Sequence, residues 1–418
     1  MAFAPHRLPS LHGFVAPTSC LSKHDIDCRH ASSSSIVDDA HGCYGNSTVT
    51  DSRPSRRRFI ALSVARTVGI SSAAAAATSV AAPQHVAAAA EPLRQSITMP
   101  LLFTGRELLI SYKVDKSRFR AVLDTGSPFL MVPGSCGSNT QLKSGCYRNQ
   151  GKPTGLDTTI EIFDGFEGEV EWRKGSFDFV NATDDTGQKG TIRSLLKQDD
   201  DDVIIFGVAS EEIMTGPGGV FFGMIRDTDA RIRPSFLGQT NVQAFRVNLQ
   251  SRPRTLALSN LPLLDGAPAY IPMTNVLRRR YRDPVGHYTA RAKSVGVNGY
   301  PLLEASSNIF VIFDTGVTGM IVSRGLFNEQ YANARKRKQK SLFGNVTLTF
   351  DTKCQSSRKD LTPKAASLTA IKPITTPFDP EDQWKRFPKS SHIIVLGLAF
   401  LEDRVLTVDI DKERLWVD

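Results

Sequence analysis

The 418-residue sequence predicts an all-β protein of two similar halves, and three observations predict it. After residue 90 the chain is a series of short apolar or alternating runs, punctuated every ten residues or so by Gly, Pro, Asn or Asp. Helical patterns are few and short, and no β-α-β alternation is present. A triplet, Asp-Thr-Gly after three apolar residues, occurs once in each half. Composition fits an ordinary globular chain: 40% apolar and 22% charged residues exclude a mainly disordered or collagen-like protein. No uninterrupted strongly apolar stretch reaches the length of a membrane helix, which excludes a polytopic membrane protein.

Residues 1–90 read as an address. The Ser- and His-rich leader has no sustained apolar period. Arg56-Arg57-Arg58-Phe59 then precedes an Ala-rich run that ends before Glu91. Arginines, a mild apolar segment and a small-residue site make an export signal over residues 55–90, twin-arginine-like in form. The long stretch before the arginines fits a two-part address: entry into a plastid, then transfer to the thylakoid lumen. Its acids, Asp25, Asp27, Asp38, Asp39 and Asp51, count against a transit peptide. The alternative is secretion or export by the twin-arginine route. Glu91–Met99 is too short for a typical activation segment.

The strand-like runs follow in order. Leu108–Val114, Phe119–Leu123 and Phe129–Val132 bracket the first triplet; Thr158–Phe163, Ser176–Val180, Val203–Val208 and Val220–Ile225 come next. Ala244–Leu249 closes a first half, residues 91–249. The second half, residues 250–418, carries Thr255–Leu258, Tyr288–Val297, Ile309–Phe313, Met320–Val322, Val346–Phe350, Ile393–Leu396, Val405–Ile410 and Leu415–Val417. Val346-Thr347-Leu348-Thr349-Phe350 alternates as a half-buried strand does. Helical periodicity is confined to Ile192–Lys197, Pro234–Gln239 and Ser323–Arg335.

The repeat carries the chemistry. Ala121-Val122-Leu123-Asp124-Thr125-Gly126-Ser127 is echoed by Val311-Ile312-Phe313-Asp314-Thr315-Gly316-Val317. Each copy is followed by another apolar run, and later by an apolar segment ending in Gly: Val220–Gly223 and Ile394–Gly397. One such triplet is an ordinary turn. Two in matching contexts bring two carboxylates together. Facing carboxylates cannot both ionise freely, so they share a proton. The charged one takes a proton from a water, and the protonated one polarises a substrate carbonyl. Gly lets the backbone come close, and Thr can lock the loops through hydroxyl-to-backbone bonds.

On these residues the chain resembles the pepsin-like aspartic proteases, in particular the plant-type members. Asp124–Ser127 with Leu130–Pro133 resembles the first active loop, and Phe313–Thr318 the second. Phe236–Gln239 with Ala244–Leu249, Tyr288–Gly299, and Val395–Gly397 with Phe400-Leu401 and Leu415–Val417 resemble later family segments. The resemblance covers nearly all of the chain after the address. It implies a bilobal fold with the active site in the cleft between two β lobes, and aspartic-type endopeptidase activity without a metal or organic cofactor. Asp124 and Asp314 would be the dyad. Thr125 and Thr315 would make the loop-locking bonds, Gly126 and Gly316 would offer amides, Ser127 would bond the outer oxygen of Asp124, and Thr318 would line the cleft. Protein or peptide substrates and a monomer are implied.

Three departures matter. Val317 stands where many members have Thr or Ser, so Asp314 loses a donor to its charged form; its pKa is expected to be higher and the activity optimum less acidic. The stretch Thr159–Gly168, which matches the substrate-covering hairpin, has no Tyr; Phe163 is the candidate for its apolar role, with Phe166 beside it. The family's cysteine framework is largely missing. Cys136 and Cys146 could close one short loop, which leaves Cys354.

A non-catalytic pepsin-like binding or inhibitor protein is the alternative. Two basic clusters, Arg278–Arg282 and Arg335–Lys340, are read as solvated faces and not as nucleic-acid contacts. The sequence has no H-E-x-x-H, no G-x-S-x-G and no G-K-[ST]. His287 and His392 form no zinc pattern and read as surface or satisfied histidines.

Overall fold

A computed structural model describes residues 93–134, 144–149, 151–163, 166–197, 203–226 without 210–219, 234–264, 269–283, 285–303, 308–354 and 365–418. The proposed address, residues 1–90, lies outside the described residues, as does Cys136. All described residues belong to one compact unit.

Two sheets hold the strands, and the β expectation is met. Alternation explains the clearest of them. In Leu108–Val114 the side chains of Leu108, Ile110, Tyr112 and Val114 are buried and those between are not. In Asn345–Phe350, Val346, Leu348 and Phe350 point inward, while Thr347 faces Thr369 across the ladder with its hydroxyl 3.0 Å away. Asn308–Phe313 is buried on both faces because it is central, with the antiparallel strand Thr289–Val297 on one side and the parallel strand Ser391–Leu396 on the other.

The larger sheet joins distant parts of the chain. Ser96–Phe103 lies between Arg254–Ser259 and Leu108–Val114. Ala244–Asn248 pairs on one side with Arg254–Ser259 and on the other with Val405–Asp409, which in turn pairs with Arg414–Val417. The expected boundary between residues 249 and 250 therefore falls in the turn between two paired strands. The smaller sheet runs from Ala366–Ile371 through Asn345–Phe350, Thr289–Val297, Asn308–Phe313, Ser391–Leu396 and Met320–Ser323 to Thr375–Phe378.

Behind the first Asp-Thr-Gly loop, Tyr112, Phe119, Phe177, Phe179, Phe222 and Phe236 pack ring to ring, with neighbouring centroids 4.9–6.2 Å apart. Each such ring withdrawn from water stabilises the fold by about 1.5–3 kcal/mol. Phe313 and Phe350 meet at 5.7 Å behind the second loop.

The helical expectations need correction. Ile192–Lys197 and Pro234–Gln239 reduce to single 3-10 turns, Ile192–Leu195 and Leu237–Gln239. Ser323–Arg335 is an α-helix, Arg324–Lys336, which buries Leu326, Gln330 and Ala334 along one stripe. The short helix Val276–Tyr281 was not legible because Arg278, Arg279 and Arg280 hide the one buried side chain, Leu277. Phe166–Phe179 is one long strand where only its end was expected. Val170, Trp172, Phe177 and Phe179 are buried in it, but charged residues at the alternate outward positions mask the pattern.

Candidate active site

Each Asp-Thr-Gly triplet starts where a buried strand ends. Ser117–Asp124 is buried from Ala121 onward, paired antiparallel with Leu108–Val114 and parallel with Phe221–Gly223. Asn308–Phe313 is held the same way, and the Asp314 N–H donates to the Leu396 carbonyl at 3.0 Å. The apolar-Gly segments thus run beside the two aspartate strands. Their glycines are required by close approach. A Cβ on Gly223 would lie 2.3 Å from the Phe129 nitrogen, and one on Gly397 would lie 2.2 Å from the Val317 carbonyl oxygen. The equivalence extends to single bonds: Gly223 N–H donates to Phe129 O at 2.7 Å, and Gly397 N–H to Gly319 O at 3.0 Å.

The structure brings the two triplets together. Thr125 Oγ1 donates to the Phe313 carbonyl at 2.9 Å, and Thr315 Oγ1 donates to the Leu123 carbonyl at 2.6 Å. Each hydroxyl also accepts the backbone N–H of the other threonine, at 2.9 and 3.2 Å. Four bonds therefore clamp the loops with near two-fold symmetry.

Asp124 and Asp314 lie above this clamp, 0% and 1% exposed. Gly126 N–H donates to Asp124 Oδ1 at 2.7 Å, and Gly316 N–H to Asp314 Oδ1 at 2.8 Å. Each glycine also lies under the opposite carboxyl. A Cβ on Gly126 would meet Asp314 Oδ2 at 2.1 Å, and a Cβ on Gly316 would meet Asp124 Oδ1 at 2.8 Å. Burial, the neighbouring Asp124 charge and a hydrogen bond with the Asp124 side chain hold the Asp314 carboxyl well above the usual carboxylate range; the Gly316 and Gly126 amides pull more weakly the other way. The arrangement can keep one proton on a pair of buried carboxyls.

The remaining site residues are placed as follows. Ser127 is fully buried, but its Oγ has no hydrogen-bond partner among the described residues, so the bond to Asp124 implied by the resemblance is not made. Thr318 is half-buried and its hydroxyl donates to the Arg106 carbonyl at 2.8 Å, joining the second loop to the turn after Ser96–Phe103. Val317 is buried among Leu277, Ile321 and Val395. Phe163 ends the strand Thr159–Phe163, opposite Phe166 at the tip of a hairpin; its side chain lies outside the description. Cys146 is disulfide-bonded, while Cys136 lies outside the described residues. His287 is buried 3.3 Å from the Asp283 carboxylate, and His392 Nδ1 lies 3.4 Å from Ser323 Oγ.

Tyr288 was missed as a site residue. Its hydroxyl donates to the Met224 carbonyl at 2.6 Å, and its own carbonyl accepts the Phe313 N–H at 3.0 Å. In the sequence it only opens an alternating run, and nothing there marks its hydroxyl as buried. Among the described residues no group of three or more His, Cys, Asp or Glu is placed to hold a metal ion, and no helix is long and apolar enough to cross a membrane. No family model matches the chain, and no curated protein matches its sequence.

Proposed function

We propose that the chain is an aspartic-type endopeptidase of pepsin-like bilobal fold, with Asp124 and Asp314 as its catalytic pair. The observation that carries the reading is the pair itself: two buried carboxyls, hydrogen-bonded to each other, each held by the amide of its own loop and seated over the glycine of the other. One shared proton leaves one carboxylate to take a proton from a water held between them. The protonated partner donates to the scissile carbonyl, and the water attacks. The proton taken from water then passes to the leaving amine. The Thr125–Thr315 clamp fixes the carboxyls in register, which is where positioning contributes most. The hairpin tipped by Phe163 and Phe166 is the cover over substrate. Protein or peptide substrates, a monomer, and a plastid or exported location behind the address of residues 1–90 complete the proposal.

Peptide cleavage by the purified protein, scanned over pH, tests it. Asp124→Asn and Asp314→Asn should each lower turnover by about 10²–10⁴-fold or more, the usual share of a positioned acid or base. Cleavage that survives both substitutions would overturn the assignment. A second reading, a pepsin-like protein that binds peptide without cutting it, is favoured by the missing Ser127 bond and by the absence of Tyr from the hairpin. A folded protein that binds peptide but cleaves none at any pH would select it.

A further inference from the structure

Four of the seven large hydrophobic side chains exposed among the described residues are Tyr300, Tyr331, Ile371 and Ile374, at 52%, 52%, 76% and 62% exposure. Tyr331 lies on the helix Arg324–Lys336, Ile371 ends the edge strand Ala366–Ile371, and Ile374 follows in the connection to the strand Thr375–Phe378, its carbonyl accepting the Met320 N–H at 2.7 Å. Asn298, in the turn before Tyr300, ties the parts together. Its side chain donates to Gln339 at 3.2 Å and accepts the Asn345 N–H at 2.9 Å. Asn345 stands opposite Ile371 in the ladder, and the Lys372 N–H donates to the Gly344 carbonyl at 2.7 Å. The Arg337 guanidinium lies 4.5 Å over the Tyr300 ring, and that of Arg335 lies 5.9 Å over Tyr331.

Cations outnumber acids on this surface, with Glu329 exposed on the same helix. Arg335, Lys336, Arg337, Lys338, Lys340 and Lys372 are all exposed. Residues 285–303, 330–350 and 365–378 contain no Asp or Glu, and Glu329 and Asp351 border the second of these segments. Cations at a helix C-terminus complement its dipole, which accounts for Arg335 and Lys336. It does not account for the exposed Ile371 and Ile374, which bracket Lys372-Pro373.

We infer that this surface docks on an anionic lipid bilayer. Lysines and arginines meet the headgroups, tyrosines sit at the interface, and Ile371 and Ile374 enter the acyl boundary. A nucleic acid would use the cations and stack on rings, but aliphatic side chains offer it little. The inference stands apart from the proposed catalytic activity.

Sedimentation of the full chain with vesicles tests it. The vesicles are phosphatidylcholine alone, or phosphatidylcholine and phosphatidylglycerol three to one. The protein should bind the mixed vesicles and not the neutral ones. Each cation near an anionic surface contributes about fivefold, so changing Arg335, Lys336, Arg337 and Lys338 together to Ala should weaken binding by more than about tenfold. Ile371→Ser with Ile374→Ser should weaken vesicle binding several-fold and leave retention on heparin unchanged. All variants carry the same arginines at Arg56–Arg58, so differences belong to the patch. Near-ultraviolet circular dichroism shows that each variant is folded. Failure to bind the mixed vesicles, binding that both sets of substitutions leave intact, or an isoleucine variant that loses nothing would overturn the inference. Tighter binding to single-stranded DNA than to vesicles would assign the surface to nucleic acid.

Discussion

The hydroxyl of Tyr288 donates to the backbone carbonyl of Met224 at 2.6 Å. That bond closes a ring of hydrogen bonds around the carboxyl pair. Met224 N–H donates to the Asp124 carbonyl, Phe313 N–H donates to the Tyr288 carbonyl, and Thr125 Oγ1 donates to the Phe313 carbonyl. Tyr288→Phe keeps the ring packing against Phe245 but leaves a buried carbonyl without its donor. Stability should fall by about 1–3 kcal/mol. Because the bond joins the segments hydrogen-bonded to Asp124 and Phe313, kcat should fall more than KM rises if the pair is catalytic. Urea unfolding and peptide kinetics check both; a normal kcat in a destabilised variant would make Tyr288 purely structural.

Thr125 and Thr315 form a shared clamp, so their contributions should not add. Each hydroxyl accepts the other residue's N–H and donates to the opposite strand. Thr125→Val and Thr315→Val should each cost about 1–3 kcal/mol. The double variant should lose less than the sum, by about 0.5–3 kcal/mol, since the first loss already lets the loops part. Urea unfolding of the four proteins gives the coupling directly. Additivity within about 0.5 kcal/mol would show independent bonds.

Gly126 and Gly316 are required by space. Gly126→Ala puts a methyl where Asp314 Oδ2 now lies, 2.1 Å from the ideal Cβ, and Gly316→Ala crowds Asp124 at 2.8 Å. The first should abolish cleavage, and the second should lower it less. Equal, mild effects in a peptide assay would mean that the carboxyls have room to move aside.

Much of this site was legible because it is written twice. The two Asp-Thr-Gly triplets and their later apolar-Gly partners recur at matching places, and only close approach explains Gly223 and Gly397. Strands with one wet face were readable by alternation, as in Val346–Phe350. Others were hidden. Ser96–Phe103 contains Pro100, which breaks the strand pattern, and was not singled out, yet it pairs on both sides. Phe166–Phe179 alternates in burial, but its outward charges mask the pattern. The Tyr288 bond and the Thr318 contact with Arg106 depend on partners far away in sequence, which periodicity does not report. At Ser127 the resemblance implied a hydroxyl bond to Asp124 that the structure does not show.

The residue at position 317 is expected to tune where the pair loses its proton. Its N–H donates to the Asp314 carbonyl at 3.3 Å, and its side chain packs with Leu277 and Ile321, so the carboxyl gains no hydroxyl donor from this position. The alkaline limb of the pH profile should therefore lie above the ordinary carboxylate value of 3.8. Val317→Thr supplies a donor to the charged form and should move that limb to lower pH. A profile of kcat/KM against pH decides it. An unmoved limb would mean that the new hydroxyl turns into the apolar cluster.

Asp314 should also make stability depend on pH, with a definite sign. Burial and the Asp124 charge raise its folded-state pKa above the ordinary 3.8. Between those two values the native state holds a proton that the unfolded chain has released. The unfolded state then binds fewer protons, so stability falls as pH rises. The group's contribution is whole below the ordinary value and is lost as pH climbs through the folded-state value. Asp314→Asn has no proton to lose, so its stability relative to the natural protein should be greater at about pH 7 than at about pH 4. Urea unfolding of both proteins at the two pH values measures the change. The same difference at both would mean that the Asp314 carboxyl ionises in its ordinary range, and the shared-proton account of the pair would fail with it.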